Sequence, residues 1–422
     1  MIAPEVDTRS SSPRTSESSS PAPLRGKRVA VVVFSHYPSD PRPRRAAEVL
    51  VQLGMKVEVI CLRQDKCEPR REIYKGVRIR RISLKRRRGG KFSYVFQYSA
   101  FIFVSFVALA FRSLTRRCHL VHVHNMPDML VFAALAPKVF GAKVILDLHD
   151  PMPELMMTIF GLPPESLGVR FLKQLERWSI SFADTVLTVN LACKRLFTAR
   201  GCPPEKIHVV MNSPDENIFK YQAAPQTSHG RGPTKPFVIM YHGSLVERHG
   251  LDIAVSALGM VQQTIPQAEL RIYGQSTPFL EQVLNAVHHS ELQNAIRYLG
   301  PRTLEQIVEA IDECDVGIIP NRRSIFTEIN TPTRIFEYLS RGKPVIAPAA
   351  PGIRDYFSDG QLVFFNLGDA NDLARKLEYV WLYPEEVKKT VESGRAVYRD
   401  HRWSTEQTKF TNLVGELLTV RN

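Results

Sequence analysis

Short apolar runs rich in β-branched residues recur along this chain and alternate with stretches of helical periodicity. The first run, at residues 28–34, reads RVAVVVF, which is typical of a strand buried on both faces of a parallel sheet. Comparable runs lie at residues 56–61, 120–124, 142–148, 184–189 and 207–211, and again at residues 237–242, 268–273, 296–299 and 316–320. Because the alternation restarts in the second half, the sequence predicts two doubly wound, Rossmann-like α/β domains that face each other across a cleft.

The domain boundaries are predicted from length and composition. With 422 residues the chain is long enough for two domains that each bury a core. Residues 1–25 combine Ser and Pro clusters with no apolar run, so we expect a disordered leader and no signal peptide. The first domain is predicted at residues 26–215, a Gly-, Pro- and Ser-rich linker at residues 216–235, and the second domain at residues 236–395. Residues 396–422 are expected to form a helix that crosses back to the first domain.

The positive charge of the chain points to anionic partners. There are 56 Lys and Arg against 42 Asp and Glu, a formal net charge of +14. Residues 78–91 hold eight basic side chains and no acid, next to a hairpin predicted around Gly76. Aromatic side chains that would stack on bases are not interleaved with this basic run, so no nucleic-acid partner is expected.

The cysteine and histidine spacings do not predict a metal site. The six cysteines form no CxxC pair, which favours reduced thiols in a cytoplasmic setting. His122 and His124 share one face of a predicted strand, but two ligands are too few for a metal ion, and histidines in strands are more often structural.

Residues 92–111 follow the basic run without a charged side chain, and twenty residues are enough to span a bilayer. A span is rejected, because the strands predicted before and after this helix belong to one sheet. Two possibilities remain open, a helix buried in the domain or a helix lying in the membrane interface. In the second case the segment from Arg78 to Phe111 would dock on an anionic membrane surface. Further basic residues flank the apolar stretch, namely Lys91, Arg112, Arg116 and Arg117.

Residues 331–344 read TPTRIFEYLSRGKP and predict a short helix after a loop. Thr331 suits the N-cap and Pro332 the first helical position. The unpaired N–H groups of such an N-terminus bind anions, phosphate above all, and Arg334 adds a formal charge. Glu337 would lie roughly 6–9 Å further along the axis, where its carboxylate could accept ribose hydroxyls. The alternative is an ordinary amphipathic helix in which Glu337 faces water.

A second loop of the same half, residues 243–250, reads GSLVERHG between a strand and a helix. Gly243 allows a ligand to approach the backbone closely, and Arg248 supplies positive charge beside it. Because both loops lie at strand ends of one domain, they suggest a cradle for a diphosphate. Taken alone, the loop is equally compatible with an ordinary strand-to-helix connection.

Candidate residues in the first domain also follow strands. His149 and Asp150 come directly after a buried strand, where catalytic groups belong in this architecture; a capped loop histidine is the alternative. The loop after the first strand contains no GxGxxG, which disfavours dinucleotide binding there. Its basic residues His36, Arg42 and Arg44 are candidates for contact with an anionic donor or acceptor.

Five segments together make the chain resemble the family 4 glycosyltransferases of the GT-B fold, retaining enzymes that use nucleotide-diphosphate sugars. They read YHGSLVERHGLD, TPTRIFEYLSRGKPVIA, VHVHNMPD, LDLHDPMPE and KIHVVMNSPDENIF. The resemblance extends from about residue 26 to the C-terminus and implies that Glu337 binds the donor ribose. It implies further that Arg248 and His249 bind the diphosphate, and that His149 lies near the reacting sugar and acceptor. It also implies a reaction that needs no metal or other cofactor.

Two departures from the family pattern concern the donor site. The family often has a Glu eight residues before the ribose-binding one, but here this position is Ile329. Any role of that acid therefore passes to backbone groups or to Thr331 and Thr333. The family commonly has Lys before the second glycine of the loop, where this chain has His249, so Arg248 becomes the permanent charge.

The predicted activity is transfer of a sugar, with retention, from a nucleotide-diphosphate sugar to a lipid-linked or polysaccharide-precursor acceptor at the cytoplasmic face of a membrane. The alternatives are an epimerase or hydrolase of sugar nucleotides with the same fold, or an inactive nucleotide-sugar-binding scaffold. The predicted catalytic residues are His149 and Asp150. The predicted donor-binding residues are Gly243, Ser244, Arg248, His249, Thr331, Thr333, Arg334 and Glu337. The predicted acceptor-side residues are His36, Arg42 and Arg44.

Overall fold

A computed structural model describes residues 24–84, 91–222 and 235–419, with the backbone alone for residues 91–94. Two parallel sheets, one in each half of the chain, have a hydrophobic core on each face. Most of the predicted leader, part of the basic run and most of the predicted linker lie outside the described residues.

In the part of the first domain that the structure describes there are eight strands and six α-helices. Its elements are β1 (Arg28–His36), α1 (Pro41–Gln52), β2 (Lys56–Leu62), β3 (Arg71–Tyr74), β4 (Val77–Ile82), α2 (Lys91–Thr115), β5 (Leu120–His124), α3 (Leu135–Val139), β6 (Lys143–Leu148), α4 (Met152–Phe160), α5 (Leu167–Phe182), β7 (Thr185–Thr188), α6 (Leu191–Ala199) and β8 (Ile207–Val209). The sheet order is β3-β4-β2-β1-β5-β6-β7-β8, and only β3 runs antiparallel to its neighbour.

Alternation along β1 explains how this sheet separates two cores. Ala30 and Val32 face the core that contains residues of α2 and α5, whereas Val29 and Val31 face the core that contains residues of α1. A strand buried on both faces needs an uninterrupted apolar sequence, which is what residues 28–34 provide.

The second domain contains six parallel strands and the remaining helices. Its elements are β9 (Phe237–His242), α7 (Leu251–Val261), β10 (Ala268–Tyr273), α8 (Pro278–Val287), β11 (Ile296–Gly300), α9 (Leu304–Glu313), β12 (Val316–Ile318), α10 (Ile325–Ile329), α11 (Arg334–Ser340), β13 (Val345–Pro348), α12 (Pro351–Arg354), β14 (Val363–Phe365), α13 (Ala370–Leu382), α14 (Pro384–Asp400) and α15 (Trp403–Thr419). The order is β11-β10-β9-β12-β13-β14. The prediction of two doubly wound α/β domains is confirmed.

Three predicted boundaries differ from the structure. Leu24, placed in the leader, is buried in the first-domain core. Phe219, which was placed in the linker, is buried in a core of the second domain. The predicted boundary between residues 395 and 396 falls inside α14, which runs to Asp400, and the crossing helix α15 begins at Trp403.

Helix α2 covers the apolar segment and lies along the first sheet, with the Phe101 ring 5.1 Å from that of Phe34 in β1. Residues 95–115 are long and apolar enough to cross a bilayer by length and composition alone. The outer side of the helix stays exposed, with Phe103 67% and Phe111 70% accessible. The buried-helix alternative therefore holds for one face of α2 only.

Helix α15 follows α14 and, although it comes last among the elements of the second half, packs against the first domain. Phe410 and Val414 are buried in the core beneath α1, and Glu406 Oε2 accepts the N–H of Met211 at 2.8 Å. The chain therefore crosses between the domains twice.

Candidate active site

Glu337 is held at the end of β9 by a histidine that the sequence analysis did not single out. His242 Nε2 lies 2.6 Å from Glu337 Oε2, and His242 Nδ1 lies 2.9 Å from the Tyr338 hydroxyl. The same hydroxyl lies 3.0 Å from the Met240 carbonyl oxygen, to which it can donate, so the imidazole connects Glu337 to β9 through Tyr338. In the sequence, the one indication that His242 belongs to the site is its position directly before Gly243.

The predicted cap at Thr331 is wrong. Helix α11 begins at Arg334 and is seven residues long, with Thr333 before it in helical conformation and without a side-chain cap. The Thr331 hydroxyl donates to the Gly352 carbonyl at 2.7 Å, and the Thr333 hydroxyl donates to the Asn212 carbonyl at 3.0 Å. These carbonyls fix the turn before the helix, and the helix starts at Arg334, two residues later than the predicted first position at Pro332. The positive charge at this place comes from the Arg334 side chain.

Arg334 and Gly243 lie against each other at the carboxyl end of β9. Arg334 Nη1 donates to the His242 carbonyl at 2.7 Å, and its guanidinium carbon is 4.8 Å from the centre of the Tyr241 ring. Gly243 has φ of +124°, a backbone conformation that favours glycine, and a Cβ there would only make ordinary contact with Arg334 Cδ at 3.5 Å. Within the described chain no carboxylate forms an ion pair with Arg334.

The loop after Gly243 carries one permanent cation. His249 Nδ1 lies 2.9 Å from the Ser244 carbonyl oxygen, to which it can donate. Burial, and then the charge of Arg334, lower the pKa of His249 to about 3, so its imidazole is neutral at physiological pH. Burial also lowers the pKa of Arg248, with Asp150 opposing, but a guanidinium stays charged. Arg248 Nε has no hydrogen-bond partner among the described residues.

On the first-domain side, Asn125 fixes the backbone at His149 and Asp150. Its Oδ1 accepts the N–H groups of both residues at 3.1 and 3.4 Å, and its Nδ2 donates to the Asp150 carbonyl at 2.6 Å and to Asp128 at 2.9 Å. His149 Nδ1 is buried without a hydrogen-bond partner in the described chain. Burial raises the pKa of Asp150, although His149 and Arg248 oppose the rise. Asn125 stands in the VHVHNMPD segment, whose asparagine the sequence analysis left unassigned.

Arg42 is not an acceptor-side residue. It is 8% exposed, and its Nη2 and Nε donate to the two oxygens of Asp147 at 2.7 and 2.9 Å. Its Nη1 donates to the Val210 carbonyl at 3.0 Å. The guanidinium is thus fully used inside the domain. Arg44 and His36 are half-buried, and His36 Nδ1 has no partner among the described residues, so their acceptor-side role stays a prediction.

His122, His124 and Asp147 form a buried group whose ligand atoms could reach one metal ion. The nearest ring nitrogens are 3.5 and 3.3 Å from Asp147 Oδ2. Although burial disfavours charge, Arg42 holds the pKa of Asp147 well below its usual range, and burial keeps His124 neutral by lowering its pKa. A divalent cation would add two charges to a carboxylate that Arg42 already neutralises, which is costly in a buried place. We therefore assign this group a structural role.

A second buried cluster lies beneath the His149 loop. Arg200 contacts Glu154 and donates to Glu176 at 2.8 Å, and the carboxyl of Asp128 is bonded to Asn125. Burial, partly offset by Arg200, raises the pKa of Glu176 to about 8, and burial raises the pKa of Asp128 to about 7. One arginine thus serves several buried carboxyls, and part of the cluster keeps its protons at neutral pH.

The two domains touch beside the donor loops. Asn190 Nδ2 donates to the Ile329 carbonyl at 2.8 Å and to the Thr331 hydroxyl at 3.1 Å. Ile329 packs against the first-domain core, whereas Glu328 is paired with Arg323 at 3.2 Å. The position eight residues before Glu337 therefore contributes through its backbone and its packing.

Family models match both halves of the chain. Residues 24–213 match a glycosyl transferase 4-like domain, and residues 227–397 match glycosyl transferases group 1. Among curated proteins, the amylovoran biosynthesis glycosyltransferase AmsK of Erwinia amylovora is 24% identical over 172 residues, 40% of each chain. The putative colanic acid biosynthesis glycosyltransferase WcaL of Salmonella typhimurium is 25% identical over 198 residues, 46% of this chain and 47% of WcaL. The aligned stretch thus spans less than half the length of either relative.

Solved structures match over nearly the whole chain. Sucrose-phosphate synthase from Thermosynechococcus elongatus has a TM-score of 0.75 at 16% identity, covering 93% of this chain and 99% of that one. Anabaena HepE in complex with UDP has a TM-score of 0.67 at 15% identity, covering 92% of this chain and 100% of that one. Another structure of HepE contains UDP-glucose. At these identities the likeness concerns the fold.

Replacing Arg42 distinguishes its buried ion pair from a role in substrate contact. Arg42→Met leaves Asp147 charged and without its cation, so the free energy of unfolding should fall by about 3–5 kcal/mol. The matched Arg44→Met variant, at a half-buried neighbour, should change it by less than about 1 kcal/mol. Urea denaturation followed by circular dichroism measures both; an Arg42→Met protein of parental stability would contradict the structural assignment.

Glu176 should make the stability of the protein depend on pH. The folded protein keeps the Glu176 proton up to about pH 8, whereas the unfolded chain releases it near pH 4.3. The unfolded state therefore binds fewer protons between these values, and stability falls as pH rises through this window, by at most about 1.4 kcal/mol per pH unit.

Glu176→Gln should flatten the dependence between pH 6 and pH 8, because the amide does not titrate. Glu165→Gln, at an exposed position of the same domain, should retain the parental slope. Urea midpoints at pH 6, 7 and 8 measure the effect, and identical slopes for all three proteins would show that Glu176 does not keep its proton.

Proposed function

The chain belongs to the family 4 glycosyltransferases of the GT-B fold, and on this premise we propose that it transfers a sugar from a nucleotide-diphosphate sugar to a lipid-linked or polysaccharide-precursor acceptor. We propose further that the reaction retains the anomeric configuration, that it needs no metal, and that it takes place at the cytoplasmic face of a membrane. Retention and independence of metal are implied by the family.

The observation that carries the donor proposal is the presence of two arginines without carboxylate partners beside one glycine loop. Within the described residues neither Arg248 nor Arg334 forms an ion pair, and the charges of both lower the pKa of the half-buried His249. Two cations held in a partly buried place attract a diphosphate and stabilise the charge that develops on it when the sugar leaves. HepE, which has the same fold, was solved with UDP and with UDP-glucose.

Glu337 is suited to hold the ribose of the same donor. Its carboxyl is fixed through His242 at the end of β9, next to the Gly243 loop. A carboxyl group oriented by a histidine can accept a hydroxyl proton without losing its own support. Arg334 and Glu337 are three residues apart on α11, a little less than one helical turn. The cation proposed for the diphosphate and the carboxyl proposed for the ribose thus lie on the same short helix.

His149 and Asp150 supply the first-domain side of the proposed reaction. The charges of Arg248 and Asp150 influence each other's pKa, which supports a site that both domains share. We assign His149 the positioning of the sugar or acceptor, because its ring nitrogen Nδ1 is buried and has no hydrogen-bond partner among the described residues. The oxygen of the acceptor would attack from the face that the leaving diphosphate occupies, as retention requires.

The acceptor part of the proposal is supported by the exposed face of α2. Phe96, Phe103 and Phe111 are exposed on this helix, and Val139 and Phe140 are exposed beside it at the end of α3. An apolar face with basic residues next to it suits the interface of an anionic membrane. AmsK and WcaL are named for amylovoran and colanic acid biosynthesis, which supports a polysaccharide precursor as acceptor.

A nucleotide screen tests the donor site. A nucleoside diphosphate at about a hundred times its Kd stabilises a protein by about 2.7 kcal/mol, so one of UDP, GDP and ADP should raise the Tm of the parent protein. Arg248→Met should weaken that ligand about tenfold or more, because a charge-assisted contact to phosphate is lost. Arg302→Met, at an exposed arginine of the same domain, should bind as the parent does; equal binding by all three would remove Arg248 from the donor site.

Replacing His149 tests catalysis separately from binding. His149→Ala should bind the winning nucleotide like the parent but release sugar from the donor with a kcat lowered about 100-fold or more. Radiolabelled donor and a membrane extract as acceptor provide the assay. A parental kcat would remove His149 from the site, whereas binding without any sugar release by the parent protein would favour the scaffold alternative.

A further inference from the structure

A groove of about 870 Å³ lies on the first domain, between the β3–β4 hairpin and the carboxyl-terminal half of α2. Five arginines line it, namely Arg71, Arg78, Arg80, Arg112 and Arg116. Two acids lie at its margin, Glu58 and Glu72. The groove is therefore far more basic than its own acids can balance.

The strand register brings like charges together in this groove. Arg71 of β3 lies directly across from Arg80 of β4, and Ile73 lies across from Arg78. Residues opposite each other in an antiparallel pair share a face, and like charges there destabilise the pairing. Burial, and then the charge of Arg71, lower the pKa of Arg80. The chain thus keeps two guanidinium groups close together at a cost in stability.

Each of the two acids is already paired with an arginine, Glu58 with one that lines the groove and Glu72 with one that does not. Glu58 forms an ion pair with Arg112. Glu72 pairs at 2.7 Å with Arg81, which is buried. Within the described chain no carboxylate forms an ion pair with Arg71, Arg78, Arg80 or Arg116. An anion from outside the chain would relieve this crowding.

The groove opens onto apolar surface. Phe111 forms part of its lining, and Leu114, one turn further along α2, is 72% exposed. Ile73 of β3, which also lines the groove, is 72% exposed as well. Cations surrounded by exposed apolar side chains match the headgroup region of a bilayer, where phosphate lies beside acyl chains.

The groove is remote from the cleft. Helix α2 starts after the carboxyl end of β4 and leads to the amino end of β5, so its last turns lie toward the amino ends of the parallel strands. The donor loops and His149 follow the carboxyl ends. An anion in the groove is therefore neither the donor nor the reacting end of the acceptor.

We propose that this groove binds the phosphate of an anionic membrane lipid, with the lipid chains lying along the exposed face of α2. A phosphomonoester headgroup suits it best, since it offers more charge and more acceptor oxygens to the guanidinium forks than a phosphodiester does. The site rests on the membrane docking put forward above and deepens it, because a bound headgroup fixes the depth and the rotation of α2 in the interface.

Sedimentation with vesicles tests the site. The vesicles contain phosphatidylcholine alone, or with phosphatidylglycerol, or with phosphatidate, the last two adjusted to equal surface charge. The parent protein should bind the phosphatidate vesicles about tenfold more tightly than the phosphatidylglycerol vesicles. Arg71→Gln combined with Arg80→Gln should remove this preference and, because the like-charge pair is gone, should unfold at an equal or higher temperature than the parent without lipid.

A matched control removes the same charge elsewhere in the first domain. Arg170→Gln combined with Lys173→Gln, on α5, should keep the preference for phosphatidate. Equal loss in both double variants, or no preference in the parent, would overturn the groove while leaving docking through α2 intact. No binding of the parent to any anionic vesicle would overturn the docking itself. A different result would be that inorganic phosphate stabilises the parent protein but not the Arg71→Gln, Arg80→Gln variant, while the parent shows no preference among the anionic vesicles. That result would assign the groove to free phosphate and would contradict the proposed lipid site.

Discussion

The buried ion pair between Arg42 and Asp147 holds together the first-domain half of the site. Arg42 comes from α1 and Asp147 from β6, and the remaining donor of the guanidinium reaches the Val210 carbonyl just after β8. Asp147 precedes His149 by two residues, so the pair fixes the strand end from which the chain turns into the cleft. Both groups are buried, and the loss of either leaves an uncompensated charge. The position of the His149 loop therefore depends on an ion pair that is buried inside the first domain.

Arginine has two distinct uses in the described chain. Where it stabilises the fold, as at Arg42, Arg200 and Arg341, it is bonded to carboxylates and carbonyl groups of its own domain. At Arg248 and Arg334, and at four of the five arginines that line the groove beside α2, no carboxylate of the described residues forms an ion pair. An unpaired cation in a partly buried place costs stability that the fold does not recover from its own contacts. Such positions identify anion sites better than net charge does, since the charge of +14 alone is compatible with many partners.

The fold could be predicted because its signals are local. A strand such as β9 (Phe237–His242) can be identified from its own apolar sequence, and Gly243 indicates the turn after it. The candidate site depends on contacts between distant residues, and these are not visible in sequence. Arg42 and Arg44 look alike until Asp147, 105 residues away, is placed beside the first. Glu337 could be found from its position in α11, but His242, which lies 95 residues before it, could not be assigned to it.

The double crossing of the chain determines how the cleft can open. Met211, on the first crossing, is bonded to Glu406 on the second, and the Ser213 hydroxyl to the His401 carbonyl, so the two connections form one joint. Any relative motion must rotate about this joint, with the far side swinging most. Away from this joint the domains meet through contacts of the buried Asn190 with Ile329 and Thr331. More exposed contacts lie next to them, the bond from Leu191 N–H to the Tyr356 hydroxyl and the ion pair of Arg195 with Asp355. Exposed pairs of this kind contribute little. A relative movement of the domains therefore has to deform both connections together, because each is bonded to the other.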